Sequence, residues 1–124
     1  MSNSTKTKVE KSIVKILESC ISTKQYAQIT LVQATHASDV NKTIGVIHSC
    51  MELIETCNLC IYFVTSNSPL IKSCLKFTTD VLKNTIKECE KLKKIKLYTD
   101  IENQCSISCA KLHNAIKTFN NVSK

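Results

Sequence analysis

The chain has a single glycine, a single proline, no tryptophan and no arginine. The first two scarcities exclude a many-stranded sheet, whose hairpins need residues that accept positive φ or break a run. They favour helices. Without arginine, and with only three tyrosines and three phenylalanines, the chain lacks the groups that read base edges or stack on single strands. Its net charge of +7, all from lysine, therefore does not mark a nucleic-acid reader. The densest run, Lys91, Lys93, Lys94 and Lys96, is expected at a helix end, where the dipole favours it and water solvates it. The opening MSNSTKTKVEKS has no apolar leader core, and no stretch reads as long enough to cross a bilayer, so the expected location is the cytoplasm with no membrane partner. Catalytic signatures are missing too: there is no Gly-rich phosphate loop, no HExxH pair and no Ser-x-x-Lys context, and the carboxylates are scattered. No enzymatic activity is expected.

What is present is enough for one core. With 124 residues and 43% hydrophobic content, one domain spanning 1–124 is expected. Punctuation divides it. His36-Ala37-Ser38-Asp39 offers a turn and a cap, Ser66-Asn67-Ser68-Pro69 puts serine at a cap with proline behind it, and Thr99-Asp100-Ile101-Glu102 reads as a capping box. The expected helices are about 8–35, 39–65, 69–95 and 99–120. Each carries a seam alternating in steps of three and four. The first is Val9, Ile13, Ile16, Cys20, Thr23 and Ala27; the second Ile47, Cys50, Ile54, Cys57, Ile61 and Val64. The third is Ile71, Leu75, Thr78, Leu82, Thr85, Cys89 and Leu92; the fourth Ile101, Cys105, Ser108 or Cys109, Leu112, Ile116 and Phe119. Short turns make neighbours antiparallel, so the expected fold is all-α, an up-down-up-down four-helix bundle.

The eight cysteines stand out, three of them within HSCMELIETCNLC at 48–60. In a reducing compartment they are expected as free thiols, which either pack as small hydrophobes or bind soft metals such as Cu(I), Zn(II) or an iron–sulfur cluster. Cys57-x-x-Cys60 and Cys105-x-x-x-Cys109 each aim two sulfurs from one helix face. Heights estimated at about 1.5 Å per residue sort the thiols into two groups, one of Cys20, Cys57, Cys60 and Cys74, the other of Cys50, Cys89, Cys105 and Cys109. Sulfurs from at least three helices are expected near enough to share an ion. His36, His48 and His113 read as solvated or rim side chains, and Met51 as a core or boundary residue.

Residues 39–119 resemble the cysteine-lined four-helix-bundle copper storage proteins of bacteria. The resemblance rests on Asp39-Val40 opening a helix, Cys50 followed by Cys57, the Ser68-Pro69 turn, Lys87-Glu88-Cys89-Glu90-Lys91, and Cys105-x-x-x-Cys109; the first helix fits through Cys20 alone. It implies a core of thiolates holding Cu(I) in a homo-oligomer, with ligands mapping best onto Cys50, Cys57, Cys89, Cys105 and Cys109. Cys60 and Cys74 fall a residue off that register. Where such proteins place further cysteines, this chain has Ile61, Thr78, Leu82, Thr85, Leu112 and Ile116, so it resembles a cysteine-depleted member holding a few ions. The other reading of the same residues is a metal-free helical interaction module whose cysteines only pack. Between residues 16 and 38 the only charged side chains are Glu18 and Lys24, and an outer face bearing Tyr26, Gln28, Thr30 and Gln33 is expected to carry the homo-oligomer contact.

Overall fold

A computed structural model describes residues 3–92 and 95–122. Four helices follow in order: α1 Asn3–Thr35, α2 Val40–Thr65, α3 Ile71–Glu90 and α4 Lys96–Val122, with no strand among the described residues. Of the lysine run, Lys93 and Lys94 lie outside the described residues, while Lys91 and Lys96 are exposed.

Local chemistry explains the ends. α2 stops in a Schellman arrangement: Ser68 N–H donates to the Phe63 carbonyl at 2.9 Å and Asn67 N–H to that of Val64 at 3.3 Å. Asn67 takes the left-handed conformation this requires, at φ 54°, which asparagine tolerates better than most residues. The serine cap at 68 is real but acts one turn early. Ser68 Oγ accepts the Leu70 N–H at 3.0 Å, and regular α-helix begins at Ile71 rather than 69. Asp39 occupies the cap position of α2 without a capping hydrogen bond; its carboxylate lies 3.9 Å from Lys42 Nζ, an exposed pair worth little. The α1–α2 corner is tied instead by Thr43, whose hydroxyl donates at 3.0 Å to the Ala34 carbonyl, which also accepts the Ala37 N–H at 3.3 Å.

Two expected bounds move further. α3 ends at Glu90, not 95, where Leu92 N–H turns back to the Cys89 carbonyl at 2.9 Å. α4 starts at Lys96, three residues before the expected capping box. Tyr98 and Thr99 N–H both donate to the Ile95 carbonyl, so the helical ladder is already running at Thr99 and no cap is needed there. The extra turn buries Tyr98 to 3% exposure.

α1 packs on α2 and α4, and α3 on α2 and α4. Partner numbers fall as residue numbers rise: Ala34 meets Thr43 while Cys20 meets Cys57, and Glu88 meets Gly45 while Cys74 meets Cys60. These are antiparallel neighbours around one core. Its largest fully buried side chains are Ile16, Leu53, Leu75, Leu82, Ile101 and Leu112. On α2 the buried seam is Val46, Cys50, Leu53, Cys57, Cys60 and Val64, whereas Ile54 and Ile61 are only partly buried. Both tracks obey the same three-four spacing, and the one that buries all three cysteines is adopted. Cys60 is therefore in register with Cys57.

Three surface expectations are corrected. α2 is by length and composition apolar enough to cross a membrane, contrary to the reading that no stretch is; nearly half of that stretch is buried within the bundle, so its apolar residues already have protein partners. Thr30 does not face outward on α1. It is completely buried, with its hydroxyl donating to the Tyr26 carbonyl at 2.7 Å, and the outer face carries Val14, Ile21, Ile29 and Val32, each about half exposed, beside exposed Tyr26, Gln28 and Gln33. Met51 is 53% exposed, outside the core altogether.

Candidate metal centre

All eight cysteines are free; seven are buried and Cys109 is half-buried. α1 supplies Cys20, α2 supplies Cys50, Cys57 and Cys60, α3 supplies Cys74 and Cys89, and α4 supplies Cys105 and Cys109. Each sits on a seam that helix periodicity turns inward.

Nearer the α2–α3 turn the thiols form a connected chain. Cys20 lies beside Cys57 and Cys60, and Cys60 beside Cys74. Thr78 closes the chain, its hydroxyl 4.0 Å from Cys74 Sγ and also in contact with Cys60, while donating to the Cys74 carbonyl at 2.7 Å. Nearer the other end, Cys105 feels Cys89, Cys109 and Cys50, and Cys50 feels Cys89. Cys109 Sγ points to the Thr79 carbonyl at 3.9 Å. These are the two groups that the rise along the helices indicates. Between them Thr23 and Ser108 hydroxyls meet at 2.7 Å across α1 and α4.

The surroundings favour the protonated form at Cys20, Cys50, Cys60, Cys74, Cys89, Cys105 and Cys109. The neighbouring thiol of Cys57 raises Cys20, with burial adding to it; that of Cys20 pushes Cys60 up to about 12, again with burial. Cys74 is raised by the neighbouring Cys60 and then by burial. In the upper group burial acts first: Cys50 is pushed to about 12, helped by Cys89, and Cys89 to about 12, helped by Glu102 and Glu88. Cys105 is raised by burial and by its three neighbouring cysteines, and Cys109 by burial against the opposing pull of Lys83. Such thiols are weak nucleophiles, and a metal ion must displace their protons to bind.

Convergence is narrower than expected. Among the described residues no three His, Cys, Asp or Glu side chains come together closely enough to hold one ion. The sulfurs are strung along the axis one helical turn after another, so they meet in pairs rather than at one level. His36, His48 and His113 are all exposed, and His36 Nδ1 is engaged with the Val32 carbonyl at 2.7 Å. Reading the motifs alone misses three groups beside the upper thiols: Tyr98, Glu102 and Gly45. Tyr98 continues the α4 seam one step above Ile101, a signal hidden by the apparent capping box.

A helical bundle with an interior lined by reduced thiols is the class of protein these coordinates define. The copper storage protein family model matches residues 5–121, so the chain belongs to that family. Neither a curated protein sequence nor a solved structure matches it.

Proposed function

We propose that this chain holds Cu(I) in the cytoplasm on its core thiolates, as a store without turnover. The observation that carries the reading is the run Cys57, Cys20, Cys60, Cys74, four thiols from three helices set one beside the next in the core. Soft thiolates select Cu(I), which is satisfied by two or three sulfurs, whereas zinc requires four ligands set tetrahedrally. Pairwise contact without a larger cluster therefore favours Cu(I) over Zn(II). The ligands are Cys20, Cys57, Cys60 and Cys74 in one group and Cys50, Cys89, Cys105 and Cys109 in the other. With two or three sulfurs for each ion, two groups of four thiols give a capacity on the order of two to four. The exposed apolar residues Val14, Ile21, Ile29 and Val32 on α1 are the contact between copies in a homo-oligomer.

An anaerobic Cu(I) titration against a colorimetric chelator, with thiols counted beforehand, tests this. Tight uptake of several ions, reduced by Cys105→Ser with Cys109→Ser and further by Cys20→Ser with Cys60→Ser, is expected. Reduced, folded protein that takes no copper from the chelator would make the cysteines packing residues of an interaction module.

A further inference from the structure

The line of sulfurs is interrupted halfway along the bundle. On α1 the next buried seam residue after Cys20 is Thr23, and on α4 the next after Cys105 is Ser108. A cysteine at either position would complete a Cys-x-x-Cys pair on one helix face. Both residues are 1% exposed and carry hydroxyls instead. Their oxygens lie 2.7 Å apart across α1 and α4, and Ser108 Oγ also accepts the Gln104 side-chain amide at 3.2 Å. The buried hydroxyls thus satisfy each other, and as hard oxygens they are poor partners for Cu(I).

The other two helices complete this layer with hydrocarbon. Leu53 stands between Cys50 and Cys57 on α2. Because Ser49 meets Asn84 at 3.2 Å, Leu53, one turn further on, comes level with Val81 and Leu82 of α3, and all three are buried. Cys50 and Cys57 are separated by about 10 Å of helix, more than twice the roughly 4.6 Å that two sulfurs can span through one ion with metal–sulfur bonds of about 2.3 Å, the length for zinc. Cys109, beside Ser108 in sequence, is aimed sideways at the Thr79 carbonyl of α3 at 3.9 Å. The thiols that act on Cys20 are Cys57, Cys60 and Cys74, whereas those that act on Cys105 are Cys89, Cys109 and Cys50.

We infer that the chain carries two independent copper stores, divided by a layer of Thr23, Ser108, Leu53 and Leu82 across which no ion is shared. One store is Cys20, Cys57, Cys60 and Cys74; the other is Cys50, Cys89, Cys105 and Cys109. This rests on the storage reading and adds its internal organisation: filling one store leaves the affinity of the other as it was.

The wild type and four double variants are titrated anaerobically with Cu(I) against a colorimetric chelator, with helical content checked for each. Cys20→Ser with Cys60→Ser, and Cys50→Ser with Cys105→Ser, should each keep about half of the wild-type copper, held with an affinity within about twofold of that store in the wild type, as for sites too far apart to couple. Thr23→Val with Ser108→Ala removes both hydroxyls together and should leave capacity and affinity unchanged. Thr23→Cys with Ser108→Cys should take up at least one ion more, since it fills the gap with thiols. A surviving store whose affinity shifts about fivefold or more shows coupling and overturns the division. So does loss of copper from the hydroxyl-free variant, or no gain in the variant with added cysteines. In each of those cases wild-type uptake leaves storage standing, whereas wild-type protein that takes up no copper overturns both.

Discussion

Cys60 joins Cys20 to Cys74, and so α1 to α3, through two sulfur contacts at a fully buried position of α2. Replacing it by serine leaves a hydroxyl in an apolar site and should destabilise the metal-free bundle by about 1–2 kcal/mol in urea denaturation. The same change should cost about a quarter of the copper capacity, because it leaves Cys74 without a partner while Cys20 and Cys57 remain together, whereas Cys109→Ser at the half-buried edge should cost less. Acidity makes a second demand at this scale. Cys50, Cys60 and Cys89 titrate near 12 in the folded chain against an ordinary value of 9.0, so the folded state retains protons that the unfolded chain has released. Their stabilising contribution is complete below pH 9 and is lost as the pH rises toward 12. Denaturation midpoints of metal-free protein should therefore fall steadily between pH 8.5 and 10.5, roughly the range over which the unfolded thiols ionise. A flat profile would mean that the thiols are solvated. The identity of these residues was legible from sequence, as was their division into two groups, because rise per residue alone fixes height along a rod. Pairing was not: whether sulfurs touch depends on side-chain direction and helix rotation, which spacing leaves open.

Helix ends carry the clearest lesson at the level of elements. Asn67 in the left-handed region closes α2 through two hydrogen bonds to its last turn. Asn67→Ala should lower stability by about 1 kcal/mol, and Asn67→Gly should leave it unchanged or slightly higher, both read from urea midpoints. The turns at 36–39 and 66–70 were legible because asparagine, serine and proline have specific backbone preferences. The turn before α4 was misread. A threonine followed three residues later by glutamate has the form of a capping box, yet burying the Tyr98 ring extends the helix past it, and Glu102 is left beside Cys89 instead of capping. The α2 seam was misread at two positions for a related reason. Ile47, Cys50, Cys57 and Val64 are buried as expected, but a second track through Cys50, Cys57 and Val64 has the same periodicity, and only the opposing helices decide between Leu53 with Cys60 and Ile54 with Ile61.

For the whole molecule, the four-helix architecture followed from scarcity of glycine and proline and from four seams of similar length. The outer surface did not follow so readily. A low density of charge along α1 suggested a polar contact face, but the exposed residues there are the apolar Val14, Ile21, Ile29 and Val32, while Thr30 turns inward. Ile21→Lys with Val32→Lys should convert the proposed homo-oligomer to a monomer in sizing with light scattering and leave helical content intact; an unchanged mass would contradict that contact. The copper account itself is tested most directly by X-ray absorption at the copper edge of protein loaded anaerobically to capacity. The expected spectrum is that of Cu(I) with two or three sulfur neighbours and no nitrogen or oxygen in the nearest shell. Copper bound through nitrogen or oxygen, or copper that washes away before the spectrum can be taken, would contradict it.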